Sequence, residues 1–197
     1  ARQLKYSIMG ALERRKKNIF HSEIHSESDK IDGLGLIGCS LYIKELRKRI
    51  MLMAGGDFPV LIHGESGTGK EVIAHAIHNN STRRDHRIIV LNCAAIPTHL
   101  EESEFFGHAK GAFTGAYTRK VGVIESAHQS TLFLDEIGEL SPGVQAKLLR
   151  VLDTGEYTRV GEIQPNKVNI RIVSPTNHNL KKMVEAGTFR KDLYYRL

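Results

Sequence analysis

Short apolar runs alternate with amphipathic segments along most of the chain. Four apolar runs, bounded by glycine or polar residues, predict buried strands at about residues 58–63, 87–92, 131–135 and 168–173. Apolar residues at helical spacing predict helices over about 40–54, 70–78 and 144–152, the first of them capped by Ser40. Strands that are apolar on both faces and alternate with helices are typical of a parallel sheet covered on both sides. The pattern therefore predicts an α/β fold of the three-layer type.

The first thirty residues have a different pattern. Leu4, Ile8 and Leu12 recur at helical spacing and predict a basic amphipathic helix over residues 1 to about 20. The polar, serine-rich stretch that follows is typical of a linker. We therefore divide the chain into a connector, residues 1–30, and a globular core, residues 31–197.

Composition and charge narrow the class of protein. The 197 residues are 41% hydrophobic and 25% charged, which is ordinary for a globular domain and excludes a disordered tail. No apolar run approaches the ~20 residues of a membrane helix. The two cysteines lie far apart, as in a reduced, cytoplasmic protein. Residues 1–20 hold six basic residues and one acidic residue, a net of +5 within the total of +6, so the basic balance belongs to the predicted helix of the connector.

A glycine-rich segment after the first predicted strand carries the strongest local signal. Residues 64–70 read GESGTGK and fit the G-x-x-x-x-G-K pattern of a phosphate-binding loop. Glycines let backbone N–H groups converge on a phosphate, and the start of the following helix adds positive potential there. An ordinary glycine-rich turn is the alternative, which the flanking strand and helix disfavour. The candidate nucleotide-binding residues are Gly64, Glu65, Ser66, Gly67, Thr68, Gly69, Lys70 and Glu71.

An acidic pair ends the third predicted strand. Glu71 stands where a phosphate loop usually has the Ser or Thr hydroxyl that binds Mg²⁺, so a metal must rely on other carboxylates. Asp135 is the candidate Mg²⁺ ligand, and Glu136 is the candidate residue that orients an attacking water. If the phosphate loop were not present, Asp135 and Glu136 would be better interpreted as two exposed acidic residues of a loop.

A second glycine-rich segment, residues 107–116, lies between these two motifs. Its glycines and alanines make a poor core element, so we interpret it as a flexible loop that presents Phe113 and Thr114. Periodicity alone does not distinguish such a loop from an ordinary surface turn.

Taken together, the motifs resemble those of a known family. Residues 111–116 read GAFTGA, the signature of bacterial enhancer-binding proteins, which are the sigma-54-dependent (NtrC-type) transcriptional activators of the AAA+ class. The phosphate loop with its unusual glutamate is also similar to that family. Over residues 34–197 the chain resembles the central AAA+ ATPase domain of these activators, a P-loop NTPase fold. Further segments match in the family's order at 92–95, 132–136, 145–152, 176–177 and 189–197.

The resemblance implies a role for each matching position at the nucleotide. Lys70 and the loop before it would hold the phosphates of ATP, with Asp135 on Mg²⁺ and Glu136 on the attacking water. Asn92 resembles the residue that pairs with the catalytic glutamate and switches it between states. Asn177 resembles the sensor that detects the γ-phosphate.

The resemblance also implies contacts with other chains. Arg190 and Arg196 resemble arginine fingers that reach the nucleotide of a neighbouring subunit in a hexameric ring. A guanidinium suits that task because it stays charged and spreads its donors over developing phosphate charge. The loop tip would contact sigma-54 in a nucleotide-dependent way. Its residues are Gly111, Ala112, Phe113, Thr114, Gly115 and Ala116.

The implied function is an ATPase that remodels the sigma-54 RNA polymerase holoenzyme and opens promoters, in the cytoplasm and without a membrane contact. Another AAA+ remodelling ATPase and a non-hydrolysing nucleotide-binding regulator are the alternatives. The family pattern also implies that the connector follows a regulatory domain, for example the phospho-receiver of a two-component system. A helical lid and a helix-turn-helix for enhancer DNA are expected beyond Leu197 and are missing from this sequence.

Overall fold

The structure, a computed structural model, describes residues 34–197. The predicted connector, residues 1–30, lies outside the described residues. The chain divides into two compact units whose boundary lies within helix α1 (Leu41–Ala54). In the first unit the backbone N–H of Ile43 donates to Ser40 Oγ at 3.3 Å, which is the helix cap that the sequence predicts.

The second unit alternates short strands and helices, as the hydrophobic pattern predicts. In residues 34–197 no helix is both long and apolar enough to cross a membrane. Three short 3₁₀ turns lie at Cys93–Ala95, Thr98–Leu100 and Ile137–Glu139. In chain order the elements are β1 (Val60–His63), α2 (Lys70–Asn79), β2 (Ile89–Asn92), α3 (Glu101–Phe106), α4 (Val123–Ser126), β3 (Thr131–Asp135), α5 (Pro142–Thr154), β4 (Glu156–Tyr157), β5 (Asn166–Lys167), β6 (Arg171–Thr176), α6 (Leu180–Glu185) and α7 (Lys191–Arg196).

Four of the strands form one parallel sheet in the order β1-β6-β3-β2. Its register places His63 beside Thr176 and Asn92 beside Asp135. The carboxyl ends of all four strands therefore lie along one edge of the sheet. The remaining two strands, β4 and β5, form a small antiparallel hairpin between α5 and β6.

Helices cover both faces of the sheet. On one face Leu132 and Leu134 of β3 are fully buried in a cluster that includes Leu148 of α5. On the other face Phe133 is buried, and its ring stacks on that of His75 from α2. Because successive side chains of a strand point to opposite faces, a strand that is covered twice is apolar throughout. The predicted three-layer α/β fold is confirmed.

The last strand lies three residues further along the chain than predicted. The sequence predicts a strand at 168–173, whereas β6 begins at Arg171 because Val168 instead donates its N–H to Gly155 at 2.7 Å, beside the β4–β5 hairpin. The strand also continues through Pro175. Its pairing with β3 ends at Val173, so the missing N–H of the proline falls where that ladder has ended.

A buried arginine ties together the opposite, amino-terminal edge of the sheet. Arg83, 7% exposed, donates to both carboxylate oxygens of Asp57 at 2.7 and 2.6 Å. It also donates to the main-chain oxygen of Ser130 at 3.0 Å and to Asn169 Oδ1 at 2.6 Å. These hydrogen bonds from Arg83 lower the pKa of the Asp57 carboxyl. One side chain thus joins the segments that lead into three of the four strands.

We expect Arg83→Ala to lower the free energy of unfolding by about 2–4 kcal/mol, because it removes the charged hydrogen bonds of a buried guanidinium that joins three segments. The neighbouring Arg84 is a matched control, since its side chain is 66% exposed and its salt bridge with Asp85 is long, at 3.9 Å. Arg84→Ala should change the unfolding free energy by less than about 0.5 kcal/mol. Urea denaturation of both variants measures the difference, and equal effects would contradict the anchoring role.

Candidate functional site

A cleft of about 480 Å³ opens at the carboxyl edge of the parallel sheet. It lies where the loops after β1, β2 and β3 converge, which is where open α/β sheets bind ligands. One part of its wall is polar and includes the phosphate loop and the acidic pair, and another part is apolar. Its lining residues are Ser66, Gly67, Gly69, Lys70, Glu71, Val72, Val90, Asn92, Phe133, Asp135, Glu136 and Pro175.

The predicted phosphate loop joins β1 to the first turn of α2. Gly67 and Gly69 have φ angles of 78° and 83°, in the left-handed region that glycine adopts without strain. Space is open where a side chain at either position would begin. Lys70 Nζ donates to the main-chain oxygens of Gly64 and Glu65 at 2.9 and 2.8 Å. The loop thus combines bare backbone, a helix start and an ammonium group, which suits an anionic phosphate.

The acidic pair lies at the end of β3, beside the end of β6. Glu136 has a left-handed backbone with φ 53°, which is rare for a residue with a side chain. Its Oε2 accepts hydrogen bonds from Thr176 Oγ1 and from the backbone N–H of Asn177, both at 3.1 Å. Its own N–H donates to Pro175 O at 3.1 Å. The carboxylate of Glu136 is therefore held by the strand next to its own.

Asn92 differs from the predicted pairing. Its Nδ2 donates to Asp135 Oδ2 at 3.5 Å, and its Oδ1 accepts from the N–H of Ala94 at 3.0 Å. In this conformation its amide therefore faces the candidate metal ligand and not Glu136, because the β2–β3 register sets Asn92 directly beside Asp135. Burial and the charge of Glu136 raise the pKa of Asp135. A bound cation would favour the charged form of this carboxylate.

The two candidate arginine fingers lie elsewhere on the surface. Arg190 binds Asp192 with two hydrogen bonds, at 3.0 and 2.7 Å, and half-exposed Arg196 binds Asp153 at 2.7 Å. The backbone N–H of Arg190 is fixed by the buried Gln145 at 2.8 Å. Neither arginine lines the cleft. The structure therefore groups the phosphate loop, Asn92, the acidic pair and the backbone of Asn177, and leaves both arginines outside.

The GAFTGA loop, residues 111–116, is a compact turn that lies between α3 and α4 in the chain. Gly111 and Gly115 have φ angles of 81° and 106°, which only glycine adopts easily. The N–H of Gly111 donates to Ala116 O at 2.8 Å and closes the turn. Thr114 is exposed, and Phe113 is 43% exposed.

Sequence reasoning missed one residue of the site. Thr176 is fully buried, and its hydroxyl holds Glu136 while it accepts the N–H of His178 at 3.1 Å. The pair Thr176–Asn177 matches the family pattern, but only the asparagine received a role from it. A hydroxyl at the end of an apolar strand, opposite an acidic pair, is the signal that could have identified this residue.

Cys93 lies directly after Asn92 and is buried. Burial, together with the charges of Asp135 and Glu101, raises the pKa of its thiol to about 12. Cys39 is also a free cysteine, and its residue is exposed.

Comparison with known proteins identifies relatives of this chain. The model of the family described as the Sigma-54 interaction domain matches residues 36–197. The Anaerobic nitric oxide reductase transcription regulator NorR of Salmonella paratyphi C (strain RKS4594) is 52% identical over 162 residues. These residues are 82% of this chain and 32% of that protein, so the chain spans about a third of the relative's length.

Solved structures share the fold. The crystal structure of NtrX from Brucella abortus in complex with ADP has a TM-score of 0.76 and 36% identity, and the match covers 96% of this chain and 40% of that one. The P-loop NTPase domain of the Sigma-54 transport activator from E. coli has a TM-score of 0.54 at 18% identity, over 81% of this chain and 91% of that one. The predicted P-loop NTPase fold is therefore confirmed.

The two thiols should differ in reactivity, because the thiolate is the attacking species and Cys93 is almost wholly protonated at pH 8. We expect one cysteine, Cys39, to react rapidly with a disulfide reagent in the folded protein. Cys93 should react at least about a hundredfold more slowly until urea unfolds the chain. Cys39→Ser should abolish the rapid reaction, and a second rapid thiol in that variant would contradict the burial of Cys93.

Proposed function

The chain belongs to the Sigma-54 interaction domain family, and from this premise we propose that it is an ATPase domain that remodels sigma-54 RNA polymerase holoenzyme. The observation that carries the proposal is the convergence of a phosphate loop and an acidic pair in one cleft, on a chain that also carries a GAFTGA loop. With this function the protein acts in the cytoplasm, where ATP and the polymerase are found.

ATP is the proposed ligand of the cleft. The glycines of the loop allow close approach to the phosphates, and Lys70 would exchange its two main-chain acceptors for phosphate oxygens. The apolar wall formed by Val72 and Val90, both half-exposed, excludes water from one side of the cleft. The related NtrX was crystallised in complex with ADP, which supports a nucleotide as the ligand of this fold.

The residues present fit a Mg²⁺ ion at Asp135. The carboxylates of Asp135, Glu136 and Glu71 line the same cleft, and Asp135 has no arginine or lysine ion pair among residues 34–197. Magnesium prefers oxygen ligands and is commonly bound by one or two carboxylates together with substrate phosphates. When bound, the ion would neutralise charge on the transferred phosphoryl group.

Glu136 is the proposed general base. Its carboxylate lies at the end of β3, one residue from the metal ligand, and accepts two hydrogen bonds that fix its orientation. In this role it would accept a hydrogen bond from the attacking water and polarise it. Asn177, whose N–H holds the same oxygen, is the proposed γ-phosphate sensor, and Asn92 is the proposed partner for a second position of Glu136.

A hexameric ring supplies the remaining groups in this proposal. Arg190 and Arg196 lie on the surface near α7 and outside their own cleft, so they are available to a neighbouring copy. Each would exchange its present aspartate partner for phosphate oxygens. The GAFTGA loop, residues 111–116, would contact sigma-54 through Phe113 and Thr114.

Removal of the proposed base tests the chemistry. In the full-length protein, Glu136→Ala should lower ATP turnover at least about a hundredfold, because no other group orients the water. Its ATP affinity should stay within about threefold of the parent, since the carboxylate of Glu136 is bound by Thr176 and Asn177 and not by the phosphate loop. Glu139→Ala is the matched control, because that acid lies on the next turn and binds His178 at 2.8 Å. Unchanged turnover in Glu136→Ala would refute the assignment, and a phosphate-release assay measures it.

Substitution in the loop tests the partner. Thr114→Ala should leave ATP turnover within about twofold, because Thr114 does not line the cleft. It should reduce sigma-54-dependent open-complex formation at least about tenfold, because its exposed hydroxyl lies in the proposed contact loop. Thr118→Ala removes an equally exposed hydroxyl just outside the loop and should leave both activities intact. If Thr114→Ala still activates transcription fully, an AAA+ remodeller of another target becomes the better assignment.

A further inference from the structure

Two side-chain contacts tie the GAFTGA loop to residues outside it. Every backbone hydrogen bond of residues 111–116 joins two residues between 109 and 117. These hydrogen bonds therefore do not attach the loop to the rest of the domain. Instead, the ring of Phe113 meets the imidazole of His108 edge to face, with centroids 5.0 Å apart and an angle of 69° between the rings. The methyl group of Ala112 packs against Gly161, where an added Cβ would lie only 2.6 Å away.

His108 is a fixed support at the base of the loop. Its backbone exchanges two hydrogen bonds with Lys120, at 3.1 and 3.0 Å, and the residues on either side of it pair with Val160, both at 3.0 Å. Its ring Nδ1 lies 2.7 Å from the hydroxyl of Ser103, a buried residue of α3. Backbone and ring are therefore both held, and the imidazole presents a surface in a fixed position.

The backbone of Phe113, in contrast, is hydrogen-bonded within the loop, where its carbonyl oxygen accepts the N–H of Ala116 at 3.0 Å, and its ring makes the contact with His108 outside the loop. The glycines at positions 111 and 115 leave the segment between them free to turn, and its hydrogen bonds move with it. More than half of the surface of Phe113 is covered, because the residue is 43% exposed. An aromatic ring in an edge-to-face pair gains free energy beyond its buried area. A partner that binds this ring must first replace the contact with His108.

We propose that His108 is a positioning residue for Phe113, which holds the ring against the loop base and lowers the affinity of the loop for sigma-54 in the nucleotide-free protein. The proposal rests on the proposed function, since it takes Phe113 as a sigma-54 contact. It assigns a task to a residue that lies outside both the cleft and the GAFTGA hexapeptide.

Two substitutions at His108 distinguish the effect of its ring on Phe113 from the effect of its hydrogen bond with Ser103. His108→Asn removes the ring and keeps a polar atom near the hydroxyl of Ser103, so that the buried serine retains a partner. His108→Phe keeps an aromatic ring for Phe113 and loses that hydrogen bond. A role in loop positioning requires the Asn variant to differ from the parent and the Phe variant to resemble it. A merely structural role of the hydrogen bond predicts the reverse order.

The first measurement is the solvent exposure of the side chain at position 113 in the absence of sigma-54. Residues 1–197 contain no tryptophan, so Phe113→Trp introduces a single reporter at the loop tip. In that background His108→Asn should raise the acrylamide quenching constant about twofold, because the indole loses its cover, whereas His108→Phe should leave the constant unchanged. Equal quenching in all three proteins would overturn the proposal, whatever happens with sigma-54.

The second measurement is the affinity for sigma-54, in proteins that retain Phe113. Fluorescence anisotropy of labelled sigma-54, without nucleotide and with an ATP transition-state analogue, gives both affinities. Without nucleotide, His108→Asn should bind about two- to tenfold more tightly than the parent, the range that an aromatic pair contributes. His108→Phe should match the parent, and ATP turnover should change less than about twofold in both variants. An unchanged or weaker nucleotide-free affinity in His108→Asn would overturn the proposal.

Together the two measurements distinguish a failure of the proposed function from a failure of the proposed role of His108. If the parent binds sigma-54 in neither condition, the proposed function fails, and the positioning role of His108 toward sigma-54 fails with it. If the parent binds and quenching rises but affinity does not, the proposed function stands and this inference alone is refuted.

Discussion

The register of one parallel sheet determines what meets at the candidate site. Parallel strands end at a common edge, so each residue that follows a strand faces its neighbours there. Pairing sets Asn92 beside Asp135 and His63 beside Thr176, which brings the phosphate loop and the acidic pair to one cleft. A slip of one residue would exchange the faces of a strand and turn its last side chain away from the cleft. The buried arginine network at the opposite edge helps to fix this register, because Arg83 links segments that precede three of the strands.

The part of this arrangement that could be predicted is the part that local sequence determines. A strand covered on both faces must be apolar at consecutive positions, which is why β3 was predicted to the residue. Glycines and a lysine between a strand and a helix fix the chemistry of the phosphate loop without reference to the rest of the fold. The shorter helices, such as α4 with four residues, span too few turns to show a periodicity. The β4–β5 hairpin is similarly short. Val168 is bound beside this hairpin, so β6 begins later in the chain than the apolar pattern predicts.

The rest depends on contacts between residues that are distant in sequence. Glu136 is held by Thr176, forty residues further along the chain, and its left-handed backbone sets which way the carboxylate points. Asn92 faces Asp135 because of the register, although its family pattern suggested Glu136. Residue type predicts which groups are able to act, whereas rotamer and backbone angle decide which of them touch. For that reason the motifs predicted the residues of the phosphate loop and the acidic pair that line the cleft, but they gave Thr176 no role and did not predict which side chains touch.

The β4–β5 hairpin offers a physical route between the cleft and the GAFTGA loop. Before the loop, the residues beside His108 pair with Val160, which follows the first hairpin strand. After the loop, Glu125 of α4 binds the buried Arg159 at 2.9 Å. Both flanks of the loop are thus attached to one hairpin, and the chain continues from that hairpin into β6, whose last residue holds Glu136. Contiguity alone does not couple two sites, because coupling also requires an element with two discrete positions that both sites bias. If the ring of Phe113 is released from the imidazole of His108 as proposed, the ring would be such an element, and it lies where this route ends.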